Sequence, residues 1–566
     1  MLRLPALLLT LCAILTLPAC GMTEGRASAG PGEQFPDRPN IILITAEDLS
    51  PRMGFMGDEV AVTPNLDALA AESVVFTKTF TTAGVCAPAR SALITGVHQT
   101  TLGTMHMRTS SYGMNMPEGE PYEAVPPASI KAFPELLRSA GYHTVNRQKT
   151  DYQFGEPFTI WDDNDHSQQW PHGLDAEQPF FAMINFPTTH EGRTWPPDLN
   201  TSERPNVKNA LERNATMDAR KNFPPTVPDA VRVPAYYPDT PVVRQNLARH
   251  YDNIRLMDQE VGALLRKLEA EGRFDDSIII FTTDHGDGLP RAKRTIFDSG
   301  THVPLIVRFP NGYGAGERRS ELVSFVDLAP TILAFAGVGL PDWIQGRDIF
   351  RAAPPQYIYM AGDRFDEVPQ RFRGIRSDGY LYIRYFSDKP VIPSLGYQNT
   401  NPIMHEWRRL HAEGALTPLQ AMYLEAPAPR RMLFDVSADP DNVRNLADDP
   451  AYAVIATRMD SDLMDWIARS GDLGRVPEAQ MRARMWPGGT QPRTAAPQGC
   501  RASDGAVVLT SATVGASVDY GGEQGEAELY ARPISATQPF AARAIRYGYA
   551  PSAPSPIDPA SLQPCG

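Results

Sequence analysis

The stretch "SIIIFTTDHGDG", Ser277–Gly288, decides the fold. Its run from Ile278 to Thr283 carries no charge and stops at Asp284 and His285. A continuous β-branched run of this length predicts a strand buried on both faces, a central strand of a mostly parallel sheet. Two other stretches share the habit. "NIILITAEDLS" runs from Ile41 to Thr45 and stops at Glu47 and Asp48, and "FFAMINFPTTH" runs from Phe180 to Phe186 and then reaches His190. Between the runs at 180 and 278 the periodicity predicts a helix over Asn253 to Gly272. Ile254, Met257, Val261, Leu264, Leu265 and Leu268 form one stripe there, and Gly272 suits the C-terminal cap. Alternating strands and helices make a doubly wound α/β domain. Sites in such sheets form beyond the carboxyl ends of the strands, which is where all three polar clusters fall.

From about Gln356 the pattern changes. "YIYMAG", "FRGIRSDGYLYIRYF" and "RMLFDVSADP" read as short strands with turns between them, and "AYAVIATRMDSDLMDWIARS" as a closing helix. They predict a smaller α+β subdomain with an antiparallel sheet. The Pro/Arg-rich "RMWPGGTQPRTAAPQG" then leads to "AVVLTSATVGASVDY" and "AARAIRYGYAPSAPSP", whose alternation predicts a small β module. The expected division is an α/β domain over 39–350, the subdomain over 351–485 and the module over 498–566.

The chain opens "MLRLPALLLTLCAILTLPAC". Arg3, an apolar run and small residues read as a signal peptide over 1–19. Leu17-Pro18-Ala19-Cys20-Gly21 resembles the bacterial lipobox, which implies a lipid on Cys20; an ordinary secretory signal cut near Ala19 is the alternative. A Gly/Ser/Pro-rich tether over 20–38 follows. The expected location is therefore outside the cytoplasm, lipid-anchored to a bacterial cell envelope and facing the periplasm or the surface. No other apolar stretch is long enough to cross a bilayer. With 566 residues, 42% hydrophobic and 21% charged, the composition is that of a multidomain globular protein. A net charge of −13 argues against nucleic acid as a partner, and an anionic substrate would need a local basic cluster.

Five cysteines are present. Cys12 lies in the signal peptide and Cys20 would carry lipid. Cys500 and Cys565 flank the module and could close it with a disulfide. Cys86 is left over, an anomaly in an oxidising compartment. It opens "CAPAR", where Pro88 suits a first helical turn and Ser91 to Thr95 continue to Gly96. Cys86 thus lies at a helix N-terminus, which favours negative charge, with the donor fork of Arg90 four residues on. This describes an anion-transfer site, open to a thiolate nucleophile or to a cysteine that has ceased to be a thiol. Glu47 and Asp48 from one strand end, with Asp284 and His285 from another, would collect a divalent cation. Oxygen-rich ligation suits calcium or magnesium, and His285 leaves room for manganese or zinc.

"CAPAR" matches the Cys-x-Pro-x-Arg signature of type I sulfatases, members of the alkaline phosphatase superfamily. "AEDLS", "TPNLDALAAESVVFTKTFTTAGVCAPARSALITG", "TTDHGDGLPRAKRTIFDSGTHVPLIVRFP" and "MLFDVSADPDNVRNLADDP" are similar to that family's segments, in order, over about residues 38 to 470. The resemblance implies that a dedicated maturase oxidises Cys86 to formylglycine (3-oxoalanine), an aldehyde whose hydrate offers two hydroxyls. One attacks sulfur; the other loses its proton and expels sulfate. It implies a metal site of Glu47, Asp48, Asp284, His285 and residue 86, most simply calcium, with magnesium or manganese as alternatives. Arg90 would stabilise the hydrated aldehyde, Lys149 and Lys293 would hold sulfate, and His190 would bind sulfate or protonate the leaving oxygen.

Glu47 stands where the family often has aspartate, and Asp151 where many members have a histidine, so either another donor serves there or Asp151 recognises substrate. His106 and His302 are further candidates to line the pocket. The C-terminal module resembles β modules appended to bacterial glycan-processing enzymes. The expected activity is removal of sulfate from a sulfated substrate, a glycan by preference. The rivals are a formylglycine-dependent phosphodiesterase or phosphonate monoester hydrolase, and a non-catalytic glycan-binding lipoprotein.

Overall fold

The uncharged runs are the middle strands of one sheet. The computed structural model describes residues 38–110, 121–167, 170, 174–175, 177–199, 205–521 and 527–565. The signal peptide, Cys20 and all of the tether but residue 38 lie outside these residues. The sheet contains β1 (Asn40–Ala46), β2 (Val74–Phe80), β3 (His143–Arg147), β4 (Asp163–Asp165), β5 (Phe180–Phe186), β6 (Ser277–Thr283), β7 (His302–Arg308), β8 (Arg318–Arg319) and β9 (Val323–Ser324). Their order is β4-β3-β5-β1-β6-β7-β2-β8, and β9 also pairs with β2. β1 runs parallel to both β5 and β6, and β3 to β4 and β5. Among the described strands β7 alone runs against its neighbours, so the sheet is mostly parallel, as expected.

Alternation along β1 builds a core on each face. Ile42 and Ile44 pack with Ile254, Met257 and Leu268, while Ile41 and Leu43 pack with Leu93, Leu137 and Ile332. The helix expected from Asn253 runs Pro241–Ala270. Thr240 caps it by accepting from the Val243 N–H, and Pro241 suits its first turn. The upstream half hid from the apolar pattern because its buried face includes Asn246, His250 and Asn253. The helix Cys86–Thr95 ends at Gly96, whose φ of 70° lies in the left-handed region.

The subdomain is an antiparallel sheet of β10 (Ile358–Phe365), β11 (Val368–Arg376), β12 (Tyr380–Tyr385) and β13 (Arg431–Asp435). Met459, Leu463 and Trp466 of the helix Ala453–Arg469 cover it. In the module, β14 (Gln498–Arg501) pairs with β15 (Val507–Thr510). A second sheet holds β16 (Ser517–Gly521), β17 (Glu528–Leu529), β18 (Phe540–Ile545) and β19 (Ser555–Ile557) in the order β17-β16-β18-β19. Cys500 and Cys565 are disulfide-bonded.

Tyr547 fixes the module to the main domain. Its ring stacks on Phe154 at 5.0 Å, its hydroxyl donates to Glu135 at 2.8 Å, and that oxygen accepts the Ala132 N–H at 3.2 Å. Among the described residues no helix is long and apolar enough to cross a membrane.

Candidate active site

The ends of β1, β5 and β6 lie level. Ala46 is in register with Phe186 on one side and Thr283 on the other, so the residues that follow each strand converge. Cys86 faces this point from the mouth of its helix. It is fully buried, its Sγ 3.3 Å from His285 Nε2 and 3.7 Å from Asp48 Oδ1.

Backbone geometry aims the carboxylates. Asp48 has φ 53°, a left-handed conformation that aspartate tolerates better than most residues. Its N–H donates to Asp284 Oδ1 at 3.0 Å, and its Oδ2 accepts the Glu191 N–H at 2.7 Å. Gly288 is required beside it, because a Cβ there would come within 2.8 Å of Asp48 Oδ2 and of the Glu191 backbone.

The donor set fits a divalent cation. Ligand atoms of Asp48, Cys86, Asp284 and His285 all lie within 4.8 Å of one another. His285 Nδ1 is 2.9 Å from the Gly286 carbonyl, so Nδ1 carries the proton of the neutral ring. The Nε2 lone pair then faces Asp48 Oδ1 at 2.9 Å, an arrangement that needs positive charge between the two. Burial lowers the His285 pKa, but Asp284 and Asp48 outweigh it and bring it to about 10. Glu47 stands slightly apart, grouped with Asp48 and His190. Burial raises its pKa despite Lys149, and Asp284 and Asp48 add to the rise.

Two lysines, Lys293 buried and Lys149 partly buried, flank the carboxylates. Lys149 Nζ is 3.2 Å from Glu47 and 3.3 Å from Asp284, and Lys293 Nζ is 2.6 Å from Asp48 and 3.2 Å from Glu191. His190 Nδ1 accepts the Gly192 N–H at 3.2 Å, so in the neutral ring Nε2 holds the proton and donates. Burial, then Lys293, lowers its pKa well below the usual histidine value and keeps the ring neutral.

Arg90 does something the motif did not foretell. Its fork binds the Thr150 carbonyl at 2.8 Å, the Lys149 carbonyl at 3.1 Å and Asn185 Oδ1 at 2.8 Å. It therefore holds the backbone that carries Lys149. Neither extra histidine is among the residues lining the cleft beside Glu47 and Lys149. His302 Nε2 donates to the Thr77 carbonyl and its ring stacks on Phe80, while His106 Nδ1 accepts the Arg364 N–H and faces Glu478. Both are held by the subdomain and the edge of the sheet.

Several site residues escaped the motifs. A cleft of about 230 Å³ opens over Glu47, Lys149 and His190, and Arg108, Arg193, Arg213 and Tyr397 also line it. Burial lowers the Arg108 pKa, but nearby negative charge, that of Asp151 first, outweighs it and raises the pKa. Glu191 pairs with both Lys293 and Arg294. Its place directly after His190 is the one signal that could have marked it; nothing in the sequence marks Arg213.

A family model described as sulfatase matches residues 39–338, and one for the C-terminal part of N-sulphoglucosamine sulphohydrolase matches 291–402. An ulvan-active sulfatase of Formosa agariphila is 36% identical over 506 residues, 86% of this chain and 84% of its own. Human N-sulphoglucosamine sulphohydrolase is 26% identical over 472 residues, 75% and 89% of the two chains. A solved structure with bound D-glucosamine-2-N,6-O-disulfate superposes with a TM-score of 0.53 at 18% identity, covering 78% of this chain and 99% of that one. The chain belongs to the sulfatase family, hydrolases of sulfuric esters.

Proposed function

We propose that this sulfatase removes sulfate from a sulfated glycan, using formylglycine at position 86 and calcium. The observation that carries the reading is the placement of Cys86, 3.3 Å from His285 and 3.7 Å from Asp48 at the positive end of a helix. The glycan preference rests on the relatives' names, ulvan-active sulfatase and N-sulphoglucosamine sulphohydrolase, and on the appended module. Export with a lipid on Cys20, and a maturase that acts on Cys86, complete the proposal.

Asp48, Asp284 and His285 would hold the cation, with Glu47 and residue 86 closing the shell. Hard oxygen donors in the majority favour calcium. A bound cation stabilises charge on sulfate oxygens and acidifies an attacking hydroxyl. The hydrated aldehyde supplies two such hydroxyls, one to attack sulfur and one to release sulfate. Lys149, Lys293 and Arg108 neutralise the sulfate oxygens, and Arg108 serves in place of the histidine that Asp151 replaces. Asp151 then orients Arg108 and does not meet sulfate, because a carboxylate has no proton to donate. His190, with its proton on Nε2, donates to the leaving oxygen.

The test compares a sulfated sugar with a matched phosphodiester on one preparation, with formylglycine measured by the mass of the Thr79–Arg90 tryptic peptide. The expected kcat/KM ratio is about 100 or more in favour of sulfate, equivalent to ~3 kcal/mol at the transition state. A preference for the phosphodiester overturns the substrate assignment.

A further inference from the structure

Arginines near the cleft that do not line it have acidic partners. Arg294 is paired with Glu191, Arg220 with Glu260 and Arg249 with Asp218. Arg193 and Arg213 differ. Both line the cleft over His190, and among the described residues neither has a carboxylate within ion-pair distance. Glu47 and Glu260 are near enough to influence Arg193 but do not pair with it. Its guanidinium makes a side-chain bond to Asn214 Oδ1 at 3.4 Å.

The pair is built into the fold. The helix Pro205–Asp218 buries Val207, Ala210, Asn214 and Met217 on one face. Asn214 Nδ2 donates to the carbonyls of Gly192 and Trp195, at 2.8 Å each, which pins the helix to the turn that carries Arg193. Arg213, the preceding residue, is thereby held beside a like charge. Burial lowers the Arg193 pKa, and Arg213 lowers it further. In a chain of net charge −13 this is a local positive patch kept at an electrostatic cost.

We propose that Arg193 and Arg213 bind a second anionic group of the substrate, a carboxylate or a further sulfate beside the ester that is cut. The inference rests on the glycan reading and narrows it to polyanionic saccharides. Two guanidinium forks present paired donors that match the oxygens of either anion. Lys149 and His190 line the same cleft and, in the proposed function, engage the scissile sulfate, so one substrate spans both groups.

The test needs no turnover. Calorimetry on protein carrying Cys86→Ala measures binding of a sulfated, uronate-containing oligosaccharide, its carboxyl-reduced counterpart and the counterpart lacking the second sulfate. The parent ligand is expected to bind at least about tenfold tighter than one of the counterparts, which identifies the anion. Adding Arg193→Gln or Arg213→Gln should reduce that ratio by about tenfold. A ratio near one for both counterparts, or a ratio that neither substitution changes, overturns the proposal. Turnover of 4-nitrophenyl sulfate by the protein with residue 86 intact tests the underlying reading separately, since its absence leaves the binding ratios to be judged on their own.

Discussion

Arg90 Nε donates to the carbonyl of Thr150 at 2.8 Å, and through this bond the signature helix holds the segment that carries Lys149. The same guanidinium reaches Lys149 O and Asn185 Oδ1, so one planar fork fixes three acceptors. Arg90→Lys keeps the charge and loses the fork. It should lower kcat/KM for a sulfate ester by about 100-fold, ~2.7 kcal/mol. Circular dichroism should stay native; full activity in this variant would show that the fork does not position Lys149.

Exhaustive chelation should abolish turnover, and calcium should restore it. Asp284 belongs to the group of ligand atoms within 4.8 Å of one another. Asp284→Ala is expected to reduce kcat by about 1,000-fold or more while KM changes little, because the cation acts on developing charge more than on substrate affinity. Steady-state kinetics with metal analysis decides it. Activity that survives proven metal loss refutes the assignment.

The module should be welded on through Tyr547. Tyr547→Ala removes a fully buried ring stacked on Phe154 and should destabilise the protein by about 3 to 5 kcal/mol. Tyr547→Phe removes the acceptor of the Ala132 N–H and one of the donors to Glu135, which keeps Thr159 and Ser517, and should cost about 1 to 3 kcal/mol. Urea unfolding measures both changes. Faster proteolysis within 486–497 should accompany the alanine variant.

Asp519 makes stability depend on pH at the same seam. It is buried, its Oδ1 3.6 Å from Arg138, and burial pushes its pKa up to about 7 although Arg138 and Arg543 pull it down. The folded state therefore holds this proton more tightly than the unfolded chain, where the pKa is about 3.9. The resulting stability is full below about pH 4 and is lost as pH rises to about 7, by up to ~4 kcal/mol. Asp519→Asn should flatten the unfolding free energy over that interval, and an unchanged slope would disprove the assignment.

The sheet was legible because Ile41, Ile184 and Ile280 each sit in runs that only a strand buried on both faces explains. The convergence of Glu47, Asp48, Asp284 and His285 followed from strand ends alone. The long helix was half hidden, since Asn246, His250 and Asn253 are buried polar residues whose partners are distant in sequence. Arg193 and Arg213 could not be found from spacing. They meet because Asn214 binds the carbonyls of Gly192 and Trp195, a tertiary contact without local pattern. His106 and His302 misled for the converse reason: proximity in sequence to the signature and to Lys293 did not carry them to the cleft.

Residue 86 has no surface exposed to solvent. An enzyme that oxidises it cannot reach it once β1, β6 and the signature helix have closed around it. The proposed conversion would then happen on the extended chain, before folding, and would compete with folding in time. The share of molecules able to turn over substrate would be set once, early in the life of each chain. Supplying maturase to folded protein should leave the formylglycine content of the Thr79–Arg90 peptide unchanged, while supplying it during synthesis should raise it.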